Sequence, residues 1–222
     1  MFPDLTCDDI FRIETPRLWL RWPRASDIAS ITSFASLPQV AQMTAVIPHP
    51  YPPGEAERFV MKARSDNANG SALVLAIIQK ANARPMAGLI GAHPAAAGDI
   101  EVGYIVAPPF WGMGLATEAV DALAGMIFGL TRTSRILANV RTNNPASRRV
   151  LEKNGFAYVD TGLDFLPARG GLHPCQRFQL DRISWAAARR AGQVKRCMPP
   201  MAHQKPDAGG NQPSLTVRHT ES

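Results

Sequence analysis

The chain has 222 residues, 45% of them hydrophobic, which suits one core-forming domain of ordinary size plus a tail. No run of about 18 apolar residues occurs, so no membrane-spanning helix is expected, and the opening MFPDLTCDDIFRIE lacks the pattern of a secretory signal. The net charge is +6, yet residues 189–222 hold six Lys/Arg against two Asp/Glu, which leaves a surplus of only two over residues 1–188. A folded nucleic-acid binder carries its basic stripe on the domain itself, so nucleic acid is not an expected partner.

Cys7, Cys175 and Cys197 are odd in number and far apart, which argues against a disulfide framework and for a reducing cytoplasm. There is no CxxC pair and the histidines are not at ligand spacing, so no metal site is expected.

In chain order, residues 17–22 (RLWLRW) alternate as a half-buried strand does, with Leu18, Leu20 and Trp22 on one face. Pro23 ends it. Two helices follow, the first with Ile28, Ile31, Phe34 and Ala35 on one side, the second over 55–69, with the proline-rich loop 48–54 between them. Residues 72–78 are continuously apolar, as in a strand covered on both faces. Short strands are predicted around 88–91 and over 100–107. A glycine-bearing turn then leads into a long amphipathic helix with Ala116, Ala119, Val120, Leu123, Ala124, Ile127 and Phe128 in its stripe. Strand 136–140, helix 144–154 and strands 156–159 and 176–181 complete the series, the last two separated by a Gly/Pro-rich loop. The order predicts a mixed sheet covered by helices, an α/β or α+β fold. Residues 1–190 read as the domain; residues 191–222, rich in Pro, Gly and Lys, read as a disordered basic tail.

The chemistry concentrates in EVGYIVAPPFWGMGLATEAV, residues 101–120. Gly112 and Gly114 let the backbone approach a ligand, and the first amides of the following helix have no intrahelical partner. With the helix dipole they form an anion site suited to a pyrophosphate; a plain helix-capping turn is the other reading. Thr117 stands where a dinucleotide fingerprint needs its third glycine, and no Walker lysine is present. In the second stretch, VRTNNPASRRVLEKNGF, Asn144 and Pro145 suit the N-cap and first helical positions.

Together these stretches resemble the GNAT acetyltransferases, and within them the branch that acetylates ribosomal-protein N-termini. Phe110–Ala119 matches that branch's Tyr-Trp-Gly-x-Gly-x-Ala-Thr-Glu-Ala run. Asn144, Ser147 and Val150–Phe156 match its Asn-x-x-Ser-x-x-Val-Leu-Glu-Lys-x-Gly-Phe run. TPRLWLRW resembles its first strand. The resemblance implies a GNAT fold, its mixed and mostly antiparallel sheet splayed between the fourth and fifth strands (100–107 and 136–140), with helices on both faces. It implies acetyl-CoA as cosubstrate, an amine acceptor (a protein N-terminus or small molecule), direct acetyl transfer and no metal; dimers are common in the family.

Carried over by position, the pantetheine arm lies on backbone groups of Ile105 and Val106. The pyrophosphate lies on the amides of Trp111, Gly112, Met113, Gly114, Leu115 and Ala116, with Thr117, and Asn144 touches the arm. Trp111 replaces the Arg or Gln of the wider superfamily. Glu101 is the candidate base, or simply a strand end in solvent. Ser147 is the candidate proton donor, or an ordinary capping residue; the tyrosine that many members use is replaced by Glu152. Tyr104 lines the cleft or packs in the core, His173 lies near the acceptor side, and Cys175 reads as a buried small hydrophobe. A CoA-binding regulatory module without catalysis is the alternative function.

Overall fold

Leu18 and Leu20 are fully buried while Trp19 and Arg21 are partly exposed, the alternation expected of the first strands. The computed structural model describes residues 11–197. Its strands are β1 (Arg12–Glu14), β2 (Leu18–Arg21), β3 (Leu73–Gln79), β4 (Met86–Pro94), β5 (Ile100–Val106), β6 (Arg135–Arg141), β7 (Ala157–Leu166) and β8 (Gly171–Asp181). They form one sheet in the order β1-β2-β3-β4-β5-β6-β8-β7, antiparallel except for β5 and β6. β3 is apolar and buried from Leu73 to Ile78 because both of its faces are covered.

The helices are α1 (Ile28–Ala35), α2 (Pro38–Ala41), α3 (Glu55–Asn69), α4 (Leu115–Leu130), α5 (Pro145–Lys153) and α6 (Arg182–Cys197). On one face of the sheet, Ala119, Val120, Leu123, Ala124, Ile127 and Phe128 of α4 meet Leu18, Leu75, Ile90, Val102 and Phe178, with Leu151 of α5 joining them. On the other face, Ile31 and Phe34 of α1, Val40 of α2 and Val60 of α3 meet Ala76, Ile78 and Leu89. That second layer covers β3 and β4 and leaves the far end of the sheet open.

The expected splay is present between the fourth and fifth predicted strands, now β5 and β6. They pair only at Ile100↔Ile136 and Glu101↔Leu137 and part beyond that point, whereas β5 follows β4 over its whole length.

Two expectations need correction, and some elements were not foreseen. The predicted strands 156–159 and 176–181 are much longer, and a short helical turn, Pro167–Arg169, replaces the long loop between them. Strand β1 and helices α2 and α6 had no sequence counterpart. The tail boundary at residue 190 falls inside α6, which runs on to Cys197. The expectation for residues 198–222 lies outside the described residues.

Candidate active site

Gly112 and Gly114 adopt φ of 74° and 73°, the left-handed region where a side chain is strained. They turn the chain from β5 into α4 on the protein surface, with Trp111 and Met113 about half exposed. The amides of Gly112, Met113, Gly114, Leu115, Ala116 and Thr117 have no hydrogen-bond acceptor among the described residues; the first helical bond recorded at this end runs from Glu118 to Gly114. Six donors and the positive end of a 16-residue helix therefore converge on open solvent. Trp111 departs from expectation. Its amide donates to Pro108 O at 3.1 Å and its indole to Val106 O at 2.6 Å, so its backbone is not a free donor.

The turn is braced from β2. Glu118 accepts from the Thr15 hydroxyl at 2.6 Å, the Arg17 amide at 2.8 Å and the Arg17 guanidinium at 2.6 Å. The same guanidinium donates to Met113 O at 2.8 Å. Partial burial pushes the Glu118 carboxyl up, but these donors outweigh it and hold it below the usual value.

Beneath the turn lies the gap between β5 and β6. Ala107 donates to Ala87 O at 2.8 Å, which by antiparallel alternation turns the polar groups of Ile105 onto Leu89 of β4 and those of Val106 and Tyr104 into the gap. The expectation for Ile105 is thereby corrected: its backbone belongs to the sheet and its side chain to the α1–α3 core. Across the gap, Asn144 caps α5 by accepting from the Ser147 amide at 3.1 Å. Tyr104 Oη lies 2.8 Å from Ser147 Oγ and 3.1 Å from Ser147 O. Tyr104 thus both packs against the core and reaches the cleft; burial pushes its phenol up to about 12. Glu152 pairs with Arg148 on the surface of α5.

Glu101 stands half-buried at the closed end of the gap and accepts from Asn139 Nδ2 at 3.2 Å. Burial, and then the negative charge of Asp164, push its carboxyl up, while Asn139 opposes them. Asp164 was missed in the sequence. Its Oδ1 accepts from Arg177 at 2.6 Å, and its Oδ2 is buried without a hydrogen-bond partner. Only the long β7–β8 pairing, invisible in the local pattern, carries it to Glu101. Cys175 is buried beside it, as expected of a small hydrophobe. The hairpin docks on the loop after α2, with Ala168 donating to Ala45 O at 3.0 Å and Arg169 to Ile47 O. His173 reaches only Arg169 O, at 3.3 Å.

The model of the family described as Acetyltransferase (GNAT) domain matches residues 17–157. The chain belongs to the GNAT acetyltransferase family. It is therefore an acetyl-CoA-dependent acyltransferase, with the Gly112–Gly114 turn inside the matched region.

The chain is 26% identical over 166 residues to the uncharacterized N-acetyltransferase p20 of Bacillus licheniformis, covering 74% of this chain and 84% of that one. It is 36% identical over 81 residues to the uncharacterized N-acetyltransferase YoaA of Bacillus subtilis (strain 168), covering 36% of this chain and only 46% of that protein. Among solved GNAT structures, the ribosomal L7/L12 alpha-N-protein acetyltransferase RimL in complex with coenzyme A superposes with a TM-score of 0.68. It shares 18% identity over 77% of this chain and 98% of RimL. Mycobacterium smegmatis RimJ in complex with CoA-disulfide superposes with a TM-score of 0.66 and 21% identity, over 81% of this chain and 90% of RimJ. At such identities the likeness speaks for the fold, and ribosomal-protein acetyltransferases are among its neighbours. Among the described residues, no helix is long and apolar enough to cross a membrane, and no cluster of three or more His, Cys, Asp or Glu could hold a metal ion.

Proposed function

We propose that this acetyltransferase moves an acetyl group from acetyl-CoA to a primary amine by direct attack, in a reducing cytoplasm. The observation that carries the reading is the row of unpaired amides from Gly112 to Thr117 at the mouth of the β5–β6 gap. A diphosphate supplies the acceptors those donors lack. The residues present fit the cosubstrate: the turn amides would hold its diphosphate, and Val106, Tyr104 and Asn144 its arm. When bound, acetyl-CoA supplies the acetyl thioester.

This chain's own groups suit the remaining steps. An α-amino group titrates near 8 and a lysine near 10.4, so a proton must leave the acceptor at neutral pH. Glu101, its carboxyl raised by burial and by Asp164, takes that proton directly or through water. The Val106 N–H points into the gap and would face the developing oxyanion. Ser147, held by Asn144 and Tyr104, would return a proton to the leaving sulfur. Fold neighbours named for ribosomal-protein acetylation make a protein α-amine the first acceptor to try.

The test is thiol release from acetyl-CoA across a panel of N-terminal peptides, lysine peptides and small amines, with mass detection of the acetylated product. Turnover on any primary amine supports the reading. Tight CoA binding without turnover on the whole panel would favour the regulatory module.

A further inference from the structure

At the edge of the sheet farthest from the β7–β8 hairpin, β1, β2 and the turn between β3 and β4 gather positive charge around one indole. The Trp19 ring is partly buried on the α1–α3 side, beside its register partner Ile78 of β3. Arg12 lies 5.5 Å, Lys80 5.7 Å and Arg84 4.8 Å from the ring. Each such contact contributes about 0.5–1 kcal/mol at an exposed site, but the three charges repel one another. Arg12 also stands directly opposite Arg21 in the β1–β2 pair, where like charges are destabilising.

These residues surround a cavity of about 210 Å³. Trp19, Phe11 and Ile78 give it an apolar body, Arg12, Arg21, Arg24 and Arg84 supply the rest, and no carboxylate is among the described residues that line it. The acids these cations engage are already committed. Asp27 accepts from the Arg21 guanidinium at 2.7 and 2.8 Å, and Glu14 accepts from Lys80 at 2.6 Å with Arg12 3.7 Å away. The Arg84 guanidinium makes no ion pair or hydrogen bond among the described residues. Its backbone holds a left-handed φ of 45°, uncommon for any residue but glycine. Setting Arg24 aside, the four cations Arg12, Arg21, Lys80 and Arg84 face the two carboxylates Glu14 and Asp27, which leaves a surplus of two positive charges.

We infer that this cavity is a second binding site, for a small phosphate monoester with a planar or apolar body, on the face of the sheet opposite α4. A phosphate dianion matches the surplus of two, and guanidinium forks suit its oxygens. A lone carboxylate leaves one charge over. The body of the ester lies against Trp19. The volume is below the roughly 300–1,000 Å³ of drug-sized sites, so the ligand is limited to one such group. The inference stands on these residues and not on the acetyl-CoA reading.

The test is calorimetric titration of phenyl phosphate into the full chain at about pH 7.5, where the monoester is largely dianionic. It is run with and without saturating CoA, for wild type and for the Arg12→Gln and Arg84→Gln variants, both at exposed positions. With CoA present, wild type should bind phenyl phosphate at a single site, and each variant should bind it roughly three- to tenfold more weakly, the scale of one charged contact. Benzoate, with a single charge on the same ring, should bind more weakly than phenyl phosphate. The Trp19 indole signal of isotope-labelled protein should shift as the site fills. No binding, unchanged affinity in both variants or an unmoved Trp19 signal overturns the inference. Binding abolished by CoA overturns it too, because the probe then sits on the glycine-bearing turn. Benzoate as tight as phenyl phosphate overturns the assignment to a phosphate. Failure of CoA to bind, with phenyl phosphate still bound and both variants weakened, counts against the acetyl-CoA reading and supports this site.

Discussion

Tyr104 Oη and Ser147 Oγ lie 2.8 Å apart across the edge of the β5–β6 gap. The phenol has one proton, and the Ser147 carbonyl at 3.1 Å competes for it. When the proton goes to the hydroxyl, the serine's own proton is free for a leaving sulfur. The phenol, pushed up to about 12, does not ionise at working pH, so it orients the serine and is not itself the acid. Tyr104→Phe should lower kcat about three- to tenfold with little change in KM for acetyl-CoA, the loss expected of one hydrogen bond. Ser147→Ala should cost more, and the double variant should be no worse than Ser147→Ala alone. Steady-state kinetics on the four proteins checks this, and additive losses would separate the two residues.

Glu101 and Asp164 make a pH prediction. Burial and then the Asp164 charge raise the Glu101 carboxyl, and the deprotonated form is the base. The acid limb of kcat/KM should therefore lie above that of an ordinary glutamate, near 4.3. Asp164→Asn removes the neighbouring charge and should move the limb to lower pH. Stability runs with the proton: the raised carboxyl favours the folded state below its unfolded pKa, and that contribution is lost as pH rises through the folded value. A limb that does not move in Asp164→Asn would remove Asp164 from the account.

Much of this arrangement was legible in the sequence, for physical reasons. The apolar run at 72–78 and the stripe from Ala119 to Phe128 announce a doubly covered strand and a core helix because burial leaves them no alternative. Gly112 and Gly114 announce the turn because their φ values favour glycine. The hairpin was not legible: Pro167, Gly170 and Pro174 read as loop residues, and β7 is exposed along most of its length, so no burial pattern marks it. Asp164 and Arg177 were lost with it, since only strand pairing brings them to Glu101. Helix α6 was missed because its partner is Phe128, far away in sequence.

Gly112→Ala and Gly114→Ala should each destabilise the domain by about 1–2 kcal/mol through left-handed strain. A Cβ on Gly112 would meet nothing within 4 Å, so its effect is on backbone geometry and not on packing. A shifted turn misaims the amides, and KM for acetyl-CoA should rise more than kcat falls. Gly129→Ala, at an open position without positive φ, is the control. Kinetics and thermal melts together check this.

The Thr15–Arg17–Glu118 brace predicts a linked loss of stability and binding. Glu118→Ala removes three donors' common acceptor and should cost about 2 kcal/mol, lowering Tm by about 4–8 °C for a domain of this size. Because Glu118 is held below its usual value, its contribution is present above the unfolded pKa and lost as pH falls through the folded one. KM for acetyl-CoA should rise as Met113 loses its tether to Arg17. A melt unchanged from wild type would contradict the brace.

The most direct measurement is a titration of CoA into isotope-labelled protein, following the backbone amide signals of Gly112 to Thr117. Those signals should shift together and saturate with the calorimetric affinity, while inorganic pyrophosphate competes for the same set. Amides that stay put while CoA binds elsewhere, or no binding at all, would contradict the claim that this turn grips a diphosphate.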